Sequence, residues 1–96
     1  MKAPPHPGIG LRQEIEAIDP PMSIAETADA LGVSRQQLYR VLSGDSAISS
    51  EMAYRLELAG LGKAEFWLRL QNHHDLARIR ARASSIEVTP LVPRVA

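Results

Sequence analysis

The stretch SIAETADALGVSRQQLYRVLSG, residues 23–44, leaves the chain little choice of local structure. Ser23 is a good helix N-cap, and Glu26 stands three residues on, as in a capping box. The helix so opened runs through Ala28 and Leu31 and is stopped by Gly32. After Val33, Ser34 opens a second short helix, RQQLYRVLS, which Gly44 stops. Gly32 falls in the turn, where a positive backbone angle is expected and glycine bears no steric cost. Ala28 falls where the two helices approach most closely, so its side chain must be small. Leu31, Val33, Leu38 and Val41 are predicted to pin the pair to a core, and the whole is a helix-turn-helix motif. The second helix then turns Arg35, Gln36, Tyr39 and Arg40 outward, with Gln37 at the margin. Arg and Gln are the side chains that pair with guanine and adenine edges in the major groove.

The rest of the chain is helical in pattern too, and the fold class expected is all-α. IGLRQEIEAI sets Ile9, Leu11, Ile15 and Ile18 near one face, and Pro20–Pro21 closes it. Ser49 or Ser50 caps EMAYRLELA, in which Met52, Ala53, Leu56 and Ala59 repeat at helical spacing. Gly60 and Gly62 bracket a turn, and a long helix is predicted from about Lys63 to Ala83. This predicts a five-helix domain over residues 6–83, between a flexible start at 1–5 and a tail at 84–96. IEVTPLV in the tail alternates weakly and suggests one short strand.

Ninety-six residues without a cysteine make one small domain, with neither disulfides nor a cysteine-bearing zinc site. The opening MKAPPHPGIG has no apolar run behind its lysine, so no signal peptide is expected, and no stretch reaches the roughly 18 apolar residues of a membrane span. A cytoplasmic location fits. The formal net charge of zero argues against nucleic-acid binding through bulk charge. Its distribution is uneven, however. Glu14, Glu16, Asp19, Glu26 and Asp29 occupy a segment with no Lys or Arg, whereas Arg35 and Arg40 occupy one with no acid. One basic face on a neutral molecule is what a compact duplex reader needs.

The run EFWLRLQNHHDLARIRAR, residues 65–82, holds the only Trp and Phe and two adjacent histidines. At about 100° per residue, Phe66, Trp67, Leu70, His74, Ala77 and Ala81 share one face, expected to pack on the preceding helices. Leu68, Leu76, Ile79 and Ala83 form a second apolar stripe, the candidate dimer interface. His73 and His74 point about 100° apart, whereas two histidines ligating one metal from a helix need i, i+4 spacing. No metal and no cofactor are expected. His74 is taken as a partly buried structural residue and His73 as solvated, with Asp75 near Arg78 and Arg82 as a surface ion pair of little energetic weight. No G-x-S-x-G, phosphate loop or cysteine nucleophile is present, and the chain is too short to wall off a pocket, so no enzyme is expected.

Together, HPG at residues 6–8, ALGVSRQQLYRVLSG at 30–44, ISSEMAYRL at 48–56 and EFWLRLQNHHDL at 65–76 resemble the HigA-type antitoxins of the Cro/repressor helix-turn-helix superfamily. The resemblance covers about residues 5–82. It implies a five-helix homodimer that binds a palindromic operator in double-stranded DNA, within its own promoter. It further implies neutralisation of a HigB-like toxin, an mRNA-cleaving ribonuclease, and places the recognition helix at residues 34–43. Arg35, Gln36, Gln37 and Tyr39 would then face bases, with Ser34 and Arg40 on phosphate. The tail resembles a variable short strand of longer members. Three positions depart from the pattern. Ile24 stands where a phosphate-touching Gln is usual, Thr27 where Leu is common, and Ile9 where Glu usually follows HPG. A stand-alone regulator without a toxin, or an interaction module in which DNA binding is secondary, fits the same residues. A toxin-like gene next door discriminates between them.

Overall fold

The computed structural model describes residues 4–93 and contains five α-helices, with no strand among those residues. The outer ends of both flanking segments, 1–3 and 94–96, lie outside the described residues.

Helix α1, Pro7–Glu16, starts two residues before the hydrophobic pattern does. His6 sits in extended backbone as its N-cap, and its Nδ1 accepts the Gly8 N–H at 3.0 Å. Proline at the first helical position loses nothing, because that N–H would have no partner in the helix. Leu11 and Ile15, one turn apart, form the buried face, and Ile9, about 200° round the helix from Leu11, is 54% exposed. Gly8 marks the closest approach of α1 to α3, since a Cβ there would collide with the Val41 carbonyl oxygen.

Helix α2, Ile24–Leu31, opens with the expected capping box. Ser23 Oγ accepts the Glu26 N–H at 3.0 Å, and the Glu26 carboxylate accepts the Ser23 N–H at 2.9 Å. Those bonds hold the Glu26 carboxyl below its ordinary pKa. Thr27 is buried, and its hydroxyl is satisfied by donating to the Ser23 carbonyl at 2.9 Å. The helix ends at Gly32 in left-handed backbone, φ 74°. Helix α3, Arg35–Ser43, follows Ser34 and ends at Gly44, again left-handed at φ 85°.

Helix α4, Ser50–Leu58, is capped by Ser49, whose Oγ accepts the Met52 N–H at 3.1 Å. Met52, Ala53 and Leu56 face inward with Ile48, whereas Ala59 lies exposed beyond the helix. The Glu57 carboxylate accepts the Ala64 N–H at 2.9 Å and so tethers the start of α5, Ala64–Ala81, whose own N-cap Lys63 supplies no side-chain bond. Helix α5 packs on α4 and α1, while α3 packs on α1 and α2. The core formed between them contains Leu11, Ala28, Leu38, Leu56 and Trp67, each at most 1% exposed. Full burial of one such leucine stabilises by roughly 1.5–3 kcal/mol.

The buried face of α5 differs from the one expected. Trp67 is buried and donates through Nε1 to the Leu61 carbonyl at 3.0 Å, but Phe66 is 45% exposed and meets the indole edge-on at 5.1 Å. Gln71, expected on a polar strip, is 5% exposed. Its Oε1 accepts the Ile48 N–H at 2.8 Å and its Nε2 donates to Asp75 at 2.9 Å. The helix therefore presents the arc through Ala64, Trp67, Gln71 and His74 to the core, because the 45–49 loop has a backbone donor that only a polar residue there can satisfy. Asp75 is thereby engaged by Gln71 and forms no ion pair with Arg78 or Arg82. Past Ala81 the chain makes one 3-10 turn, Ala83–Ser85. The alternating tail after it forms no strand, because among the described residues no second extended segment lies beside it to take its backbone bonds. Val88, Leu91 and Val92 are 79%, 98% and 71% exposed.

Candidate nucleic-acid interface

Helix α3 is oriented by what it buries. Leu38, Val41 and Leu42 are at most 4% exposed, and this arc fixes which residues point away. Arg35, Gln36, Gln37, Tyr39 and Arg40 are all exposed, as the sequence predicted, and Tyr39 is exposed over 51% of its surface. No acidic residue interrupts the helix. Among the described residues neither Arg35 nor Arg40 forms an ion pair, so both guanidinium groups are available to an outside anion. Asp45, the nearest acid in sequence, lies beyond Gly44 and accepts a bond from Ser43 Oγ at 3.1 Å.

Ser34 has two capacities. Its Oγ accepts the Gln37 N–H at 3.0 Å as the N-cap of α3, which leaves the hydroxyl proton free to donate to a phosphate oxygen. Ser34, Gln36, Gln37 and Arg40 join Ser46 along a shallow polar groove of about 280 Å³. Ser46 was not singled out from the sequence. It enters because the 44–46 turn folds back on α3, its N–H donating to the Arg40 carbonyl at 3.0 Å.

The angle between α2 and α3 has its own support. Arg55 of α4 donates from Nη1 to the Leu31 carbonyl at 2.9 Å, at the end of α2. The guanidinium lies over Gly32 so closely that a Cβ there would be 2.8 Å from Nη1. Glu51, one turn earlier, holds the Arg55 Nε at 3.5 Å as an ion pair outside hydrogen-bond geometry. Sequence reasoning passed over Arg55, since only the fold brings it to the turn. At the start of α2, Ile24 is half-buried against the core, and an apolar side chain there offers no phosphate donor.

The four residues expected at a dimer interface do not share one environment. Leu76 and Ile79 are each 39% exposed and share a face of α5. Leu68 is half-buried against the core, because the inward arc is turned towards it. Ala83 lies past the end of α5, in the 3-10 turn. The histidine pair also divides. His73 is exposed, whereas His74 is half-buried, with Nδ1 2.8 Å from the Pro4 carbonyl and its ring edge-on to His6 at 5.1 Å. Among the described residues, no group of three or more His, Asp or Glu is gathered as a metal site, and no helix is long and apolar enough to cross a membrane.

Comparison with known proteins agrees with this geometry. Residues 22–59, which include α2, α3 and α4, match the Helix-turn-helix family. The chain is 36% identical to Virulence-associated protein A of Dichelobacter nodosus, over 99% of this chain and 97% of that protein. An addiction module antidote protein of the HigA family from Coxiella burnetii superposes with a TM-score of 0.80 at 32% identity, covering 93% of this chain and 99% of the other. The Pseudomonas aeruginosa antitoxin HigA, solved with the higBA promoter, superposes at 0.77 with 35% identity over 93% of this chain and 99% of that one.

Proposed function

The chain belongs to the HigA-type antitoxins of the Cro/repressor helix-turn-helix superfamily, and from that membership we propose that it represses its own operon and neutralises a HigB-like mRNA ribonuclease. It is a DNA-binding protein and not an enzyme. One observation carries the DNA part. The outward arc of α3 bears five polar side chains without an acid, and its two arginines are unpaired among the described residues.

Inserted into a major groove, α3 brings its N-terminal residues to the base edges. Arg35, Gln36, Gln37 and Tyr39 read bases, while Ser34 and Arg40 hold phosphate and fix the register. Two copies joined through α5 at Leu76 and Ile79, with Leu68 at the margin, set two recognition helices on a palindromic operator. Ala83, past the helix end, contributes at the edge of that interface. The protein acts in the cytoplasm, on the nucleoid when bound to its operator. That the P. aeruginosa relative was solved with promoter DNA supports a DNA-binding role here.

The test is fluorescence anisotropy on the chain's own promoter at fixed salt. Arg35→Ala with Gln36→Ala is expected to weaken binding at least ~30-fold, about 1–3 kcal/mol being the usual worth of each paired base contact. Undiminished affinity would move the reading surface off α3. The toxin part is tested by pulling the full chain from its own cells and identifying the bound protein, with a HigB-like ribonuclease the expected partner.

A further inference from the structure

We propose that the cleft between α2 and the α4–α5 turn docks a basic, apolar-tipped segment of the partner ribonuclease. The inference rests on the toxin reading above and names the surface that carries it.

Ile18, Met22, Ala30, Leu31, Ala59 and Leu61 line an open, largely apolar cleft of about 270 Å³. A second depression, of about 280 Å³, shares Ala30, Leu31 and Ala59 with it and continues to Leu58. Leu58 is 69% exposed, although it ends a helix whose Met52, Ala53 and Leu56 are buried. The result is an apolar track on a face to which α3 contributes no lining residue. The track therefore lies off the outward arc of α3.

The segments that contribute Ile18, Thr27 and Ala30 to the cleft are acidic. Asp19, Glu26 and Asp29, their neighbours in sequence, are all exposed. From Gln13 to Ser34 the chain has no Lys or Arg. Among the described residues the one cation lining the track is Arg55, already engaged with the Leu31 carbonyl and Glu51. An apolar floor built on acidic segments fits a partner segment in which an aliphatic or aromatic anchor is flanked by Lys or Arg.

The ribonuclease meets that description for a physical reason. An enzyme that cleaves RNA must hold a polyanion, so it presents a cationic surface at its substrate groove. Carboxylates laid on that surface compete directly with RNA. Docking here thus inhibits as well as binds. A second copy of this chain is the weaker fit, because its basic aliphatic surface lies on α5, where Leu76 and Ile79 already form the proposed dimer contact.

The experiment titrates a catalytically inactive form of the HigB-like ribonuclease of the same organism into the full chain, by calorimetry at two salt concentrations. Two surface variants are compared with wild type, Asp19→Asn with Asp29→Asn, and Ala30→Arg. All three positions are exposed, so the fold is expected to persist, as thermal unfolding will verify. The carboxamide pair is expected to weaken binding about tenfold at low salt and less at high salt, as exposed charges do. Ala30→Arg, which puts bulk and positive charge into the cleft, is expected to weaken it at least ~30-fold, as loss of a central contact does. Promoter affinity of the carboxamide pair should change by less than about threefold, since neither position lies on α3. Wild-type affinity in both variants overturns the cleft as the docking surface while leaving the toxin reading intact. A change of oligomeric state in Ala30→Arg with unaltered ribonuclease binding assigns the cleft to a second copy instead. Failure of the wild-type chain to bind the enzyme overturns the toxin reading, and this inference with it.

Discussion

Within residues 23–44 both helices begin at a serine whose hydroxyl accepts a backbone N–H and end at a glycine in left-handed backbone. Ala28, Leu31, Leu38, Val41 and Leu42 in that region are at most 4% exposed. From Leu76 to Val92 the composition is no less apolar, but no residue is buried. Leu76 and Ile79 are partly exposed, and the tail's Ile86, Val88, Leu91 and Val92 lie open. The first region caps both of its helices from within and buries its apolar face in the core. The second keeps its helix and turn bonds but leaves its apolar side chains open, which is how a contact surface for another chain is built. Leu38→Ala against Leu76→Ala deletes the same atoms from each. In the monomer, Leu38→Ala is expected to cost about 2–5 kcal/mol and Leu76→Ala no more than about 0.5 kcal/mol, by denaturant unfolding at low protein concentration. Equal costs would abolish the contrast.

Gln71 sits at the boundary between the two regions. Gln71→Leu fills similar space but leaves the Ile48 N–H without its acceptor. Leaving that donor unsatisfied should destabilise by about 1–3 kcal/mol, and hydrogen exchange at Ile48 should quicken. A neutral result would mean that the 45–49 loop finds another acceptor.

The outcome at Gln71 bears on what a sequence can reveal. The helix-turn-helix was legible because its signals are local: Ser23 with Glu26, Gly32, Ser34 and Gly44 each act within four residues of their own position. Ala28, Leu38 and Val41 were placed correctly because a helix with one buried face announces it by period. Helix α5 carries two apolar arcs and one buried glutamine, so its period did not fix its inward face. Phe66 and Gln71 consequently changed places with expectation. Arg55 at the Leu31 carbonyl, His6 as an N-cap and Gly8 against Val41 went unread for a related reason. The first and last depend on partners distant in sequence, and the second uses an imidazole where Ser, Thr, Asp or Asn is usual. The tail's alternation was visible, but a strand needs a neighbour that alternation does not supply.

Smaller effects sharpen the contrast. Ser34→Ala removes the cap at the start of α3 and is expected to cost ~1 kcal/mol. It should also weaken promoter binding by loosening the first turn of the reading helix. Unchanged stability would show that the hydroxyl serves DNA alone. Leu76→Asp with Ile79→Asp should leave monomer stability within about 0.5 kcal/mol, as exposed substitutions usually do, yet give a monomer by sedimentation. A persistent dimer would move the interface away from the distal part of α5.

The smallest expected effect is a pH dependence located where the two regions meet. His6 caps α1 through Nδ1, which must carry no proton to accept the Gly8 N–H. Burial lowers its pKa below the ordinary 6.5, and the neighbouring His74 lowers it further, as does Arg78. Asp75 and the Ser46 backbone oppose the shift without reversing it. In the unfolded chain His6 titrates near 6.5, so between the two values the unfolded state binds more protons than the folded one. Stability therefore rises with pH across that interval. The contribution is complete above about pH 6.5 and is lost as pH falls towards the folded pKa. His6→Asn keeps an N-cap acceptor and removes the titration. Thermal unfolding from pH 7.5 to 5.5 should then show a shallower decline for His6→Asn than for wild type. Glu26 does not confuse the comparison, because its own depressed carboxyl pKa confines its loss to pH below about 4.5. Identical slopes in the two proteins would assign the acid sensitivity to another group and leave His6 a cap only.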